Sequence, residues 1–217
     1  MSDSVWERGG ADSISTRAYN FIIGLTLLWG FGMNLLMFNA VPVETISRIP
    51  TWAFLIGYFL TCLAGIALFT ASDNPIVSFL GYNLVVVPFG LVLNLIVSRY
   101  SPDIVYNAML ITAIVTTVMM ALATIQPNWF ANLGPALGIA LIAVIIIELL
   151  MIVFTGHSAT WIDWIVALIF CGYIGFDWYR ANNIPKTVDN AIDSAASLYM
   201  DIINLFVRIL SISGKKR

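Results

Sequence analysis

Two neighbouring stretches decide how this chain is read: I-G-F-D-W-Y-R-A-N-N-I-P-K-T at residues 174–187 and A-S-L-Y-M-D-I-I-N-L-F-V-R-I-L at residues 196–210. Each sets an aspartate, Asp177 and then Asp201, near or inside an apolar helical segment. A carboxylate at the centre of a membrane helix costs about 2.5–3.5 kcal/mol on translocon scales. Two of them on successive segments point to a use for the pair. From Val188 the pattern is one-sided: Asn190, Ser194, Ser197, Asp201, Asn204 and Arg208 recur at steps of four, three, four, three and four. That spacing is one polar stripe along a helix. Leu198, Ile202, Leu205 and Ile209 form the other side. Such a stripe in a membrane must face protein or water rather than lipid, so Ser194, Ser197 and Asn204 are candidate pore-lining groups.

Composition places the whole chain in a bilayer. Of 217 residues, 60% are hydrophobic and 10% charged, with a mean hydropathy of +0.91, whereas soluble domains have roughly 45–50% apolar and about 25% charged residues. Net charge is −2, and there is no basic stripe, zinc-ligand spacing or phosphate loop, so nucleic acid is not an expected partner. Residues 1–16 are polar and mixed in charge, unlike a cleavable signal peptide. Cys62 and Cys171 both fall in apolar segments and read as free thiols packing as small hydrophobes.

About twenty apolar residues cross a bilayer, and seven segments meet that length: 18–40, 51–71, 76–98, 104–125, 133–154, 160–181 and 188–212. The expected fold is an all-α membrane protein, a seven-transmembrane-helix bundle, with the polar-striped C-terminal helix inside it. The expected organisation is a polar tail at 1–17, one transmembrane domain at 18–212 and a basic tail at 213–217. In the first span Gly24, Gly30 and Gly32 would allow close helix approach. Asp73 is the expected cap between spans two and three, and Pro88 with Gly90 predicts a kink in span three. Trp129 suits an interface anchor. Glu148 lies toward the end of span five, where it could snorkel to the headgroups or face the bundle and line the path. Asp163, near the start of span six, suits the positive end of the helix dipole. The link 182–187 is short, so spans six and seven should be antiparallel neighbours. Orientation stays open, because basic residues lie on both sides: Arg17 before the first span opposes Lys215, Lys216 and Arg217 at the end. A last segment that enters the membrane without crossing it would reconcile both.

At about 1.5 Å per residue from the link, Asp177 and Asp201 do not obviously match in depth. They meet only if helix six runs past Asp177, or if helix seven starts early. If they meet, one dry site holds two carboxyls that cannot both ionise cheaply, so a proton is shared and the pair titrates as a unit. Protonated, the pair clamps two helices; doubly ionised, it repels and offers hard oxygens to a cation such as calcium. Arg180 and Arg208 are the candidate counter-charges. The alternative is two local ion pairs, Asp177–Arg180 and Asp201–Arg208, that only neutralise charge.

The segments G-F-D-W-Y-R-A-N (175–182) and A-A-S-L-Y-M-D-I-I-N-L-F-V-R-I-L (195–210) resemble the signature of the transmembrane Bax inhibitor motif family, whose last helix carries A-L-x-L-Y-x-D-[FI]-I-N-L-F. A third span opening G-Y (81–82) and turning at P-F-G-L (88–91) is similar too. The resemblance implies a seven-helix protein with six helices around a central seventh. It implies a pH-sensitive calcium leak, with the family's di-aspartyl sensor on Asp177 and Asp201 and calcium as permeant ion rather than cofactor. Bacterial members sit in the cell membrane, and eukaryotic ones in organelle membranes, where they are linked to cell-death suppression. This short chain looks like a bacterial member. Relatives can set an arginine of the second helix against the aspartates, but residues 51–81 contain none.

Rival functions fit less well. An intramembrane aspartyl protease also uses two aspartates, but it carries G-x-G-D where L-Y-M precedes Asp201, and P-A-L here (135–137) lies ahead of both aspartates. A rhomboid-type serine protease would need a histidine in a membrane helix, and the single histidine, His157, falls in a loop. An enzyme is therefore not expected. A proton-coupled transporter would also want buried carboxylates, with Glu148 as a third, but no internal repeat of the kind many transporters show is visible. The expected partners are the lipid bilayer and calcium ions.

Overall fold

The computed structural model describes residues 13–157 and 159–214. Residues 1–12, in the expected polar tail, and 215–217, in the expected basic tail, lie outside the described residues. Among those described there are helices and no strands: α1 Thr16–Ala40, α2 Val43–Ser47, α3 Thr51–Ala71, α4 Pro75–Val97, α5 Pro102–Ile125, α6 Pro127–Phe130, α7 Leu133–Thr155, α8 Thr160–Asn183 and α9 Val188–Gly214. All but α2 and α6 are long and apolar enough to cross a membrane. The chain is a multi-pass, all-α integral membrane protein. Each long helix lies within about a turn of its expected bounds, because proline, serine and asparagine punctuate the sequence where the helices end.

The stops follow local chemistry. Ser15 caps α1, its hydroxyl accepting from the Ala18 N–H. Asn74, not Asp73, caps α4 by accepting from the Ile76 N–H. The reason is positional: Pro75 takes the first helical turn, where its missing N–H costs nothing, so the cap falls on the residue before it. Gly156 ends α7 with a φ of 77°, a left-handed conformation that suits glycine. Helix α4 runs on through Pro88.

Contacts divide the helices into two compact units: residues up to 99 with 183–199, and residues 100–182 with 200–217. Helix α9 thus contributes its first half to one unit and its second half to the other. In the first unit α1 and α4 pack closely. Of the three α1 glycines only Gly30 is at a tight approach, where an added methyl would strike the Tyr82 hydroxyl and the Tyr199 ring; Gly24 and Gly32 meet nothing. Glycine spacing alone cannot say which side of a helix meets a neighbour. Gly65 of α3 and Gly81 of α4 face each other's backbones.

In the second unit the small residues of α8 let it sit hard against its neighbours. Gly175 faces the Phe130 ring, Gly172 faces Leu137, and Phe176 packs on Gly134 of α7. Trp178 Nε1 donates to Thr124 Oγ1 of α5 at 2.9 Å. Burial separates the helices sharply. In α7 only Val144 is buried, as expected of a lipid-facing helix, while α9 exposes no residue anywhere along 188–214.

Candidate functional site

Along the first half of α9 the polar stripe is taken up by partners in α1 and α4. Ser194 Oγ and Tyr19 Oη lie 3.0 Å apart, and Tyr19 Oη also donates to the Asn190 carbonyl. Ser78 donates to Asp189 Oδ1 at 2.7 Å. Tyr199 is fully buried, its hydroxyl hydrogen-bonded to the Asn34 side chain and its ring set among Phe31, Tyr82 and Phe89. Ser197 is buried as well. Lys186, outside the spans, stacks its ammonium 4.7 Å from the Tyr19 ring centre, and its partial burial pushes its pKa down. Ser194, expected as a pore-lining group, is buried and hydrogen-bonded to Tyr19 of α1.

The second half of α9 meets α8 through charge. Helix α8 runs six residues past Asp177 to Asn183, one of the two conditions for the aspartates to meet. Asp177 and Asp201 do meet, side chain to side chain within hydrogen-bonding reach. Both are buried, each with 7% of its surface exposed. Asp201 Oδ2 is buried and finds no hydrogen-bond donor among the described residues. Arg180 pairs with Asp177 at 3.3 Å from one turn along the same helix and lies 5.8 Å from the Phe176 ring centre. It is also within electrostatic reach of Asp201. Tyr173 is the other polar group of α8 near both carboxyls. Asn204 turns its amide back to the Met200 carbonyl.

Arg208 is the correction to the expected pairing. It does not serve Asp201. Its guanidinium forks onto Glu148 of α7, with nitrogen–oxygen distances of 3.1 and 2.9 Å, and reaches Asp163 Oδ1 of α8 at 2.9 Å. Ser211 Oγ donates to the other Asp163 oxygen at 2.9 Å. Glu148 thus faces protein and does not snorkel. Asp163, expected at the positive end of the helix dipole, is a buried member of an ionic cluster with a side chain only 4% exposed. A signal for this was present in the sequence. Glu148 and Asp163 flank one short loop, which sets them at similar depth, and Arg208 follows Asp201 by seven residues, two turns along the same face. The pairing of Asp163 with Arg208 and of Asp177 with Asp201 shows that α8 and residues 200–214 run antiparallel, as the short link implied.

The chemistry of the aspartate pair follows from charge. Two like charges about 4 Å apart repel by about 4 kcal/mol at an effective dielectric of about 20. One proton between the carboxyls replaces that repulsion with a hydrogen bond, and the trio Asp177, Asp201 and Arg180 is then formally neutral. Among the described residues no group of three or more His, Cys, Asp or Glu could hold a metal ion. Two carboxyls supply only part of the 6–8 oxygens that calcium takes, so an ion here would keep water.

Seven spans with a buried carboxyl pair on the last two define a multi-pass helical membrane protein with an ionisable interior. Comparison with known proteins gives the family. A profile described as "Inhibitor of apoptosis-promoting Bax1" matches residues 12–217, and the chain belongs to the Bax inhibitor family. It is 30% identical over 224 residues to an uncharacterised protein of Helicobacter pylori, covering 98% of this chain and 90% of that one. It is 37% identical over 130 residues to Bax inhibitor 1 of Schizosaccharomyces pombe, 58% of this chain and 47% of the relative. Protein LIFEGUARD 4 of Arabidopsis thaliana is 40% identical over 111 residues, 46% and 44% of the two chains. The match thus spans less than half the length of each of these two relatives.

Proposed function

We propose that the protein is a pH-sensitive calcium leak pathway of the membrane, operated by the proton that Asp177 and Asp201 share. The observation that carries this reading is the meeting of the two buried carboxyls beside Arg180. With the proton in place the pair bridges α8 and α9, and the path is shut. When the proton leaves, the two carboxylates repel, the bridge opens, and their oxygens replace part of the water around a passing cation. Calcium is then the permeant ion, and the reading needs no cofactor. Arg180 supplies in cis the positive charge that residues 51–81 lack.

The test is calcium flux into dye-loaded proteoliposomes across a pH series. Wild type should pass little calcium at acidic pH and more as pH rises. Asp177→Asn and Asp201→Asn keep a hydrogen bond across the pair without a titrating proton, so both should be low and flat with pH. Flux in wild type and both variants that ignores pH would exclude the leak mechanism.

A further inference from the structure

We propose that Arg208, held between Glu148 and Asp163, sets the charge of the cation path at a second position along the seam of α8 and α9. The inference rests on the leak reading above. Three charged side chains from three membrane helices converge here, at 2.9–3.1 Å, and such charges are costly at membrane depth. Stability alone does not explain them, because a buried ion cluster is often matched or bettered by apolar residues of similar volume. Their position does. Arg208 lies seven residues beyond Asp201, about 10 Å along α9 and on the same face, so a cation leaving the aspartate pair along α9 meets the guanidinium next. A fixed positive charge in a pore raises the barrier to cations, and carboxylates lower it.

The cluster is built to hold that charge in place. Both terminal guanidinium nitrogens are engaged, and Ser211 pins the far oxygen of Asp163. The Arg208 side chain is 24% exposed and Glu148 17%, against 4% for Asp163. The arginine and the glutamate are therefore the accessible members, and the aspartate is the buried support. The charged groups facing Arg208 are thus Glu148 from α7 and Asp163 from α8, with Ser211 of α9 bonded to Asp163.

The experiment measures calcium and potassium flux in proteoliposomes at a pH where the wild-type leak is active. Arg208→Gln removes the positive charge and leaves both carboxylates, so calcium flux should rise about tenfold, the change that a barrier lowered by about 1.4 kcal/mol produces. The calcium-to-potassium ratio should rise with it, and the pH midpoint should stay where it is. Arg208→Lys restores the charge and should return flux toward wild type. Glu148→Gln leaves Arg208 on Asp163 alone and should lower the calcium-to-potassium ratio; this arm decides the matter if Arg208→Gln does not fold. Wild-type amplitude and ratio in whichever of Arg208→Gln and Glu148→Gln folds would overturn the inference. So would a shift of midpoint without change in amplitude, which would place Arg208 in the proton sensor. Asp201→Asn separates the two readings: if it abolishes pH dependence while the Arg208 and Glu148 variants match wild type, the leak stands and this inference falls.

Discussion

The two halves of α9 are held by different chemistry. Residues 188–199 meet α1 and α4 mainly through hydroxyls, amides and rings, with one carboxylate among them: Tyr19 on Ser194, Ser78 on Asp189, Asn34 on Tyr199, with Tyr82 and Phe89 edge-on to the Tyr199 ring. Residues 200–214 meet α7 and α8 through carboxylates and a guanidinium: Asp201 on Asp177, and Arg208 on Glu148 and Asp163. Ring packing and neutral hydrogen bonds change little between acidic and neutral pH, whereas a shared proton and an ion cluster respond to pH and to salt. One helix thus carries a part held mainly by packing and neutral hydrogen bonds, Asp189 on Ser78 being its carboxylate contact, and a part whose contacts are dominated by charge. A pH-driven rearrangement is expected in the second.

Substitutions can break this contrast. The largest stability loss is expected from Tyr199→Ala, which empties a fully buried aromatic site and strands Asn34. Removing a buried aromatic costs about 3–5 kcal/mol, read as a lowered unfolding temperature in detergent that is the same at acidic and neutral pH. An Asp201→Asn protein should lose the pH dependence of unfolding expected of the wild type, because the titrating proton is gone. Gly30→Ala forces a methyl against the Tyr82 hydroxyl and the Tyr199 ring, and overpacking of this kind costs about 1–3 kcal/mol; an unchanged unfolding temperature would refute the close approach. Tyr199→Phe removes only the hydroxyl bonded to Asn34 and should cost about 1 kcal/mol, with no change in the pH profile of flux. Arg180→Gln is the finest probe. Without the cation beside Asp177, the pair gives up its proton less readily, so the flux midpoint should move to higher pH, and a midpoint at lower pH would contradict the assignment of Arg180.

Much of this was legible in the sequence. The long apolar runs and their Pro, Ser and Asn stops placed all seven spans, because helix length in a bilayer is set by thickness and ends are set by local capping. The i, i+3, i+4 recurrence from Asn190 to Arg208 showed that α9 turns a polar side inward. Partners were harder to read. Periodicity tells which face a residue occupies and not which helix lies opposite, so spacing makes Arg208 a candidate counter-charge for the aspartates, whereas its partners sit on α7 and α8. The same limit made Gly24 and Gly32 look like contact points, although α1 meets its neighbours at Gly30. Counting residues from the link left the depths of Asp177 and Asp201 unmatched, because it could not supply the offset between α8 and α9.

The most direct measurement of the central claim is a pH-difference infrared spectrum of the protein in liposomes, recorded beside calcium flux on the same preparation. The shared proton predicts a carboxylic-acid carbonyl band that grows on acidification with the midpoint at which flux falls, and that is missing in both Asp177→Asn and Asp201→Asn. A band that persists in both variants, or no such band across the range where flux changes, would contradict a shared proton as the operator of the leak.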